Sequence, residues 1–227
     1  MDAQLPDVDA GRRFYGELFG WSFEARPEGQ GASVWARLDA AAVAALAQKT
    51  DGRMPTVWTV YFATPDAQAT THRIRTGGGQ VIMPPFPVGG LGVAALAADP
   101  EGAVFGLWQT GSHAGFGVRH TPGTFAWAQL YARDTEQANT FYGHLFHEAL
   151  FGPGAKPDFG RAPVGDVFSE VMPPHFLVHF GVEDCEAALG AVSRLGGRVQ
   201  AGPFTASYGT VAVVTDDQGA SFALLQR

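Results

Sequence analysis

Hydrophobic residues along this chain follow two periods in turn. In Val57-Trp58-Thr59-Val60-Tyr61-Phe62 and in His175-Phe176-Leu177-Val178-His179-Phe180, one set of alternate positions is wholly apolar. That is the period of a strand with one face against a core. Between such runs the spacing changes to that of a helix. Asp7 is a fitting N-cap, Phe14 and Leu18 share a face, and Gly20 is a stop. The same reading predicts helices over Asp66–Arg75, closed by Gly77-Gly78-Gly79, over Asp134–Phe146, where Asp134 and Gln137 resemble a capping box, and over Asp184–Leu195, closed by Gly196-Gly197. Further strands are predicted at Ala3–Leu5, Trp21–Phe23, Ser33–Leu38, Val81–Met83, Val93–Ala97, Val104–Trp108, Phe125–Tyr131, Val211–Val214 and Phe222–Gln226. The alanines of Asp39–Gln48 favour helix, but the matching position in the second half, Asp166–Val171, looks extended, so a hairpin strand is expected.

That correspondence comes from a repeat. Phe14-Tyr15-Gly16-Glu17-Leu18-Phe19 recurs 127 residues later as Phe141-Tyr142-Gly143-His144-Leu145-Phe146, with five of six positions identical. Asp7 and Asp134 precede the two copies at the same distance. Asp99-Pro100-Glu101-Gly102 before Phe105-Gly106-Leu107-Trp108-Gln109 is matched by Asp216-Asp217-Gln218-Gly219 before Phe222-Ala223-Leu224-Leu225-Gln226. The expected fold class is α+β: four βαβββ modules (1–50, 55–110, 124–172 and 173–227) paired into tandem domains, 1–110 and 124–227, joined by the linker 111–123. One module of about 55 residues is too small to bury a good core alone.

Composition narrows the function. With 227 residues and a net charge of −7, nothing suggests the basic surface a nucleic-acid partner requires. No apolar run approaches the roughly 20 residues of a membrane span, and no signal-peptide pattern is apparent. The single cysteine, Cys185, fits a reduced cytoplasmic protein and reads as a small buried apolar side chain. His72, His144 and His147 read as surface residues.

The motif helix, the string Leu195-Gly196-Gly197-Arg198-Val199 and the two Asp-x-x-Gly turns followed by Phe-x-Leu resemble the vicinal oxygen chelate superfamily of glyoxalase I, bleomycin-resistance proteins and extradiol dioxygenases. In particular the chain looks like its two-domain "glyoxalase-like" or "hydroxylase" members. The resemblance spans both halves and implies sheets curled around a cleft. Its metalloenzymes hold Zn, Ni, Fe or Mn through His, Gln and Glu on cleft-facing strands. Carried over by position, those ligand places fall at Trp127, Thr59 and Leu177 and at Gly106 and Ala223, none of which is a good ligand. No metal or other cofactor is therefore favoured. The alternative set is Glu170 with His175 or His179. The two histidines lie roughly 13 Å apart along one strand, too far to share a metal easily.

What remains on the expected cleft face is aromatic: Trp127, Tyr131, Tyr61 and Trp108, with Gln129, Thr59, His175, Leu177, His179 and Ser221 among them. Trp35, Phe86, Phe204 and Tyr208 are further candidates. Such a surface suits an apolar or aromatic small molecule. Two function classes follow. One is a metal-independent binding protein for sequestration or an accessory step in metabolite or antibiotic biosynthesis or resistance. The other is an enzyme, either a metal-dependent lyase or dioxygenase, or a metal-free isomerase, cyclase or hydroxylase-type catalyst with His179 as acid/base. The same aromatics could instead close a dry core between modules. Whether the chain forms a homodimer is left open.

Overall fold

The computed structural model describes residues 1–25, 33–52, 55–155, 157–169 and 171–227. In chain order the elements are β1 (Asp2–Leu5), α1 (Val8–Phe19), β2 (Ser22–Ala25), β3 (Ser33–Leu38), β4 (Ala41–Gln48), β5 (Val57–Thr59), β6 (Tyr61–Ala63), α2 (Ala67–Thr76), β7 (Gln80–Pro87), β8 (Gly92–Ala98) and β9 (Val104–Thr110). The second half supplies β10 (Phe125–Ala132), α3 (Thr135–Phe151), β11 (Phe159–Pro163), β12 (His175–Gly181), α4 (Cys185–Arg194), β13 (Arg198–Ala206), β14 (Gly209–Thr215) and β15 (Ser221–Gln226). The fold is α+β with mixed sheets, as the periodicity predicts. The repeat was the better guide to Ala41–Gln48, which is a strand entered through a turn with positive φ at Asp39 and Ala40.

Two expectations need correction. The described residues of Asp166–Val171 do not form a hairpin strand: Val164–Asp166 forms a 3-10 turn and Val167 and Phe168 continue as turn and bend. Glu170 lies outside the described residues. The second motif helix runs on past Phe146 to Phe151, with a non-helical φ/ψ at Phe146 itself.

Among the described residues all four α-helices start on an aspartate N-cap whose carboxylate accepts a backbone N–H of the first turn: Asp7, Asp66, Asp134 and Asp184. The capping box expected at Asp134 is only half made. The Gln137 amide donates to Asp134, while the Asp134 amide donates to the Glu101 carboxylate at 3.1 Å.

The chain forms two compact units, each drawing on both halves of the repeat. The first comprises Met1–Thr59, Gly115–Ala126 and Leu177–Arg227. Here β4 and β5 flank β1, in parallel and antiparallel pairing respectively, and β3 and β2 extend the sheet beyond β4. β15 meets β5 at Ser221–Val57, runs antiparallel to β14, and pairs in parallel with His179–Gly181 of β12. Its core is a ring cluster in which Tyr15 and Phe19 of α1 contact Trp21, while Tyr15 meets Trp58 and Phe222, and Phe19 meets Phe180.

The second unit comprises Val60–Ala114 and Trp127–Phe176. It contains the sheet β6-β9-β8-β7 and the parallel pair β10–β11. Its core repeats the first: Tyr142 of α3 meets Phe62, Phe105, Phe159 and Phe176. In each unit the motif helix therefore packs on strands from the other half of the sequence.

The repeated motifs are the parts of this packing. Tyr15 donates its hydroxyl to Asp216 Oδ2 at 2.8 Å, and Tyr142 does the same to Asp99 Oδ2 at 3.1 Å. The other oxygen of each aspartate accepts two backbone N–H groups of its own turn. Burial raises both carboxyls above the usual range, against hydrogen bonds that favour the charged form. The third turn residue ties down the start of the same helix: Gln218 exchanges two hydrogen bonds with the Asp7 backbone, and Glu101 accepts from Arg133 and Asp134. The glutamines after Phe-x-Leu cap the remaining helices, Gln109 at Ala67 and Gln226 at Cys185.

The paired glycines that end α2 and α4 divide two tasks. Gly78 and Gly196 take a left-handed φ of 89° and 90°. Gly79 and Gly197 allow close approach. A Cβ at Gly79 would lie 2.9 Å from the Phe141 ring, and one at Gly197 3.1 Å from Phe14. The first phenylalanine of each motif thus sits on the helix stop of its unit.

Removing the Tyr15 hydroxyl leaves the buried Asp216 oxygen and the Trp58 indole N–H, which donates to Tyr15 at 2.9 Å, without that partner. Tyr15→Phe is expected to cost about 1–3 kcal/mol, read as a thermal midpoint lower by several degrees in differential scanning calorimetry. An unchanged midpoint would show that the hydroxyl does not hold the turn.

Candidate functional site

The residues expected to line a cleft divide between the two units. Tyr61, Trp108, Trp127, Gln129, Tyr131 and His175 belong to the second; Thr59, Leu177, His179 and Ser221 belong to the first.

In the second unit the aromatic rings lie over glycines. Tyr61 and Gly106 are register partners on β6 and β9, and a Cβ on Gly106 would run into the Tyr61 ring. Gln129 pairs with Gly160, where a Cβ would fall 2.5 Å from the Trp127 ring and 2.8 Å from Gln129 Oε1. Trp108 covers Gly92 in the same way and donates its indole N–H to the His113 carbonyl at 2.9 Å. Where a ring faces a glycine across two strands, the pair packs flush with the sheet. Trp127 donates to Gln129 Oε1 at 2.9 Å, and Gln129 Nε2 lies 3.4 Å from the Leu130 carbonyl. Both polar groups are thus engaged within the strand. Tyr131 stacks on His175 with ring centroids 5.6 Å apart, and Phe168 meets both rings at 4.9 and 4.8 Å. Phe168 was not foreseen, because it lies in the segment expected to be a strand. The His175 Nδ1–H donates to the Pro173 carbonyl at 2.9 Å, and burial lowers the imidazole's pKa.

In the first unit the central feature is His179. It is fully buried, paired in register with Ala223 on β15, which pairs in turn with Val213 on β14. All three residues are sealed from solvent, as are Leu177, Val211 and Leu225. Ser221 lies 3.4 Å from the Gln200 side chain, and Thr59 pairs with Asp2 and is buried. The His179 Nδ1 lies 3.3 Å from the Leu177 carbonyl. A carbonyl only accepts, so Nδ1 carries the proton. Nε2 is then a lone-pair acceptor, and it has no hydrogen-bond partner among the described residues. The Tyr208 ring stands edge-on at 6.2 Å. Burial, with a further contribution from the charge of Arg227, lowers the imidazole's pKa to about 4, so the ring is neutral near pH 7.

The ligand places implied by the superfamily resemblance can now be examined for metal. Trp127 spends its N–H on Gln129, Gly106 lies under Tyr61, and Leu177 and Ala223 are sealed apolar positions. Among the described residues no three His, Cys, Asp or Glu side chains come together as a metal-binding group. The side chains at these five positions do not fit a transition metal. Of the alternative set, Glu170 lies outside the described residues, and His175 and His179 belong to different units. Cys185 is buried, as expected, and His72, His144 and His147 are exposed. Among the described residues no helix is long and apolar enough to cross a membrane.

The His179 pKa carries a stability signature. In the unfolded chain the imidazole titrates near 6.5; in the folded chain it titrates near 4. The unfolded state binds more protons between these values, so this contribution is complete above pH 6.5 and lost as pH falls toward 4. It amounts to at most roughly 3 kcal/mol. Asp99 and Asp216, raised by burial, act in the opposite sense. His179→Gln is expected to flatten the fall in denaturant-measured stability between pH 6.5 and 4. A variant that kept the full acid slope would show that His179 is not buried as a neutral ring.

Comparison with known proteins agrees with this architecture. Residues 2–107 match the family model for the Glyoxalase/Bleomycin resistance protein/Dioxygenase superfamily. CFP32 of Mycobacterium bovis, provisionally named a glyoxylase, is 35% identical over 242 residues, covering 100% of this chain and 93% of that protein. The anthracycline biosynthesis protein DnrV of Streptomyces peucetius is 34% identical over 251 residues, covering 100% and 91%. Among solved structures, the Mn(II)-bound glyoxalase of Novosphingobium aromaticivorans aligns with a TM-score of 0.65 at 15% identity, over 99% of this chain and 80% of that one. The 2,3-dioxygenase LapB of Pseudomonas sp. KL28 gives 0.65 at 13%, over 100% and 90%. At those identities the two structures establish the shared fold. With full-length relatives above 30% identity and the fold in agreement, the chain belongs to the glyoxalase/bleomycin resistance protein/dioxygenase superfamily.

Proposed function

We propose that this protein binds an apolar, aromatic small molecule without a metal ion, in a sequestering or accessory role in metabolite or antibiotic biosynthesis or resistance. The observation that carries this reading is the residue set at the superfamily's ligand positions: Trp127, Thr59, Leu177, Gly106 and Ala223, indole, hydroxyl and hydrocarbon where imidazole and carboxylate would be needed. Aromatic and apolar groups complement planar hydrocarbon and repel free ions. The relative DnrV, named for anthracycline biosynthesis, supports a polycyclic aromatic as the class of ligand to try first. Trp127, Gln129, Tyr131, Tyr61, Trp108 and His175 in one unit, and Thr59, Leu177, His179 and Ser221 in the other, are the proposed contact residues.

A metal-free catalyst is the second reading, favoured by one observation: the Nε2 lone pair of His179 is buried and unpartnered. A neutral imidazole in that state has the lone pair a general base needs, while its lowered pKa makes it a weak one.

Two measurements test the proposal. Elemental analysis of protein purified without chelator is expected to find only substoichiometric transition metal. A stoichiometric metal that disappears in Glu170→Ala or His179→Ala would overturn metal independence. A panel of planar polycyclic aromatics is expected to raise the thermal midpoint. A ligand at about 100 times its dissociation constant adds roughly 2.7 kcal/mol, so the absence of any shift across the panel at saturation would remove the binding reading.

A further inference from the structure

In the first unit the end of the linker closes over β12. Gly123 donates its N–H to the Gly181 carbonyl at 2.8 Å, and Gly181 donates to the Thr124 carbonyl at 2.9 Å. Beside that bridge lies a cavity of about 310 Å³. Pro122 and Val182 form its apolar walls, Ala126 and Leu225 lie at its floor, and Glu183 and Arg227 bring one charge of each sign. Among the described residues the two charges form no ion pair with each other, Glu183 has no hydrogen bond, and Arg227 reaches the Ala126 carbonyl only at 3.5 Å. The first half of the repeat differs at these places. Val182 donates its N–H to the Leu225 carbonyl at 2.9 Å, as Thr64 does to the Trp108 carbonyl at 3.0 Å, and Gln226 caps its helix as Gln109 does. Those bonds fix the correspondence residue by residue. Leu225 stands where the first half has Trp108, Glu183 where it has Pro65, and Arg227 where it has Thr110. On the same backbone, an indole, a pyrrolidine ring and a hydroxyl give way to a smaller hydrocarbon and two opposite charges.

We propose that this cavity is a further binding site, for a small zwitterion with an apolar side chain: an α-amino acid of the leucine type. Arg227 takes its carboxylate, Glu183 takes its ammonium group, and the side chain lies against Pro122 and Val182. A simple anion would pair with Arg227 but meet Glu183 as a like charge, and a simple cation would do the reverse. An uncharged molecule would strip water from both charges and replace it with nothing. The volume is at the lower end for small-molecule sites, which suits one branched side chain better than a polycyclic ring system. None of these residues is among the contact residues proposed above, so the site is independent of the aromatic-binding reading. No bond is made or broken in it.

The test titrates the full chain calorimetrically with L-leucine, with 4-methylpentanoate (leucine without its amino group) and with 3-methylbutylamine (leucine without its carboxylate). Wild type is expected to bind leucine about tenfold or more tighter than either analogue. Glu183→Gln is expected to abolish the preference over 4-methylpentanoate, and Arg227→Gln the preference over 3-methylbutylamine. Both side chains are exposed, so these substitutions leave the core untouched. In parallel, methyl spectra of wild type should show the Val182 resonances moving as leucine is added. Equal binding of the three compounds by wild type would overturn the inference. So would a preference that survives in both variants, leucine binding that leaves the Val182 methyls unmoved, or no binding of leucine at millimolar concentration. Each of these outcomes leaves the aromatic-binding reading to its own ligand panel, and the wild-type titrations and spectra decide the matter without the variants.

Discussion

A tyrosine hydroxyl donated to a buried aspartate holds each unit of this protein together. Tyr15 reaches Asp216 and Tyr142 reaches Asp99, across 201 and 43 residues of chain. Each aspartate organises a turn with one oxygen and receives the motif helix with the other. A buried carboxylate is tolerable only when its lone pairs are used. The turn, the helix and the strand that follows the turn are therefore placed by one group. The ring clusters about Tyr15 and Tyr142 add apolar burial, and aromatic pairs of this kind contribute about 0.5–1.5 kcal/mol each beyond area. The hydrogen bond sets which surfaces meet.

That arrangement accounts for the residues of the motif. Its aromatics are consumed by the core, and its aspartate caps a helix. The opposite sheet face is where the two halves diverge, and among the described residues it does not present a metal-ligand constellation. In the second unit it is levelled by rings lying over glycines, with the Trp127 and Gln129 polar atoms bonded to each other. In the first it is sealed aliphatic surface interrupted by one imidazole. Polar capacity on this face thus narrows to a few atoms, and Nε2 of His179 is among those without a hydrogen-bond partner in the described residues.

Much of this was legible in the residues. The 127-residue offset, the aspartate caps and the period-two runs gave the helices and most of the strands, and the repeat correctly made a strand of the alanine-rich Ala41–Gln48 against its helix propensity. The segment that argued for that strand, Asp166–Val171, looked extended in its own residues, but the chain turns at Val164–Asp166. Burial at Phe105, Leu107, Phe222 and Leu224 followed from alternation. The depth of His179 did not, because period two assigns a face and says nothing of what covers it.

The sequence by itself determined the superfamily, the α+β class, the core faces and the lack of good metal ligands at the superfamily's positions. These rest on local periodicity and on residue chemistry, which do not depend on distant neighbours. Only the tertiary structure decided that each compact unit takes elements from both halves of the repeat, that Glu101 and Gln218 tie down the motif helices, and that Tyr61 and Trp127 lie flat over Gly106 and Gly160. It alone assigned the proton of His179 to Nδ1. All but the His179–Leu177 bond are pairings between residues far apart in the chain, and two halves that share their core motifs offer equivalent partners within and between themselves. No local pattern distinguishes them; the choice is made by which packing closes the aromatic cores while giving the buried Asp99 and Asp216 their hydrogen bonds.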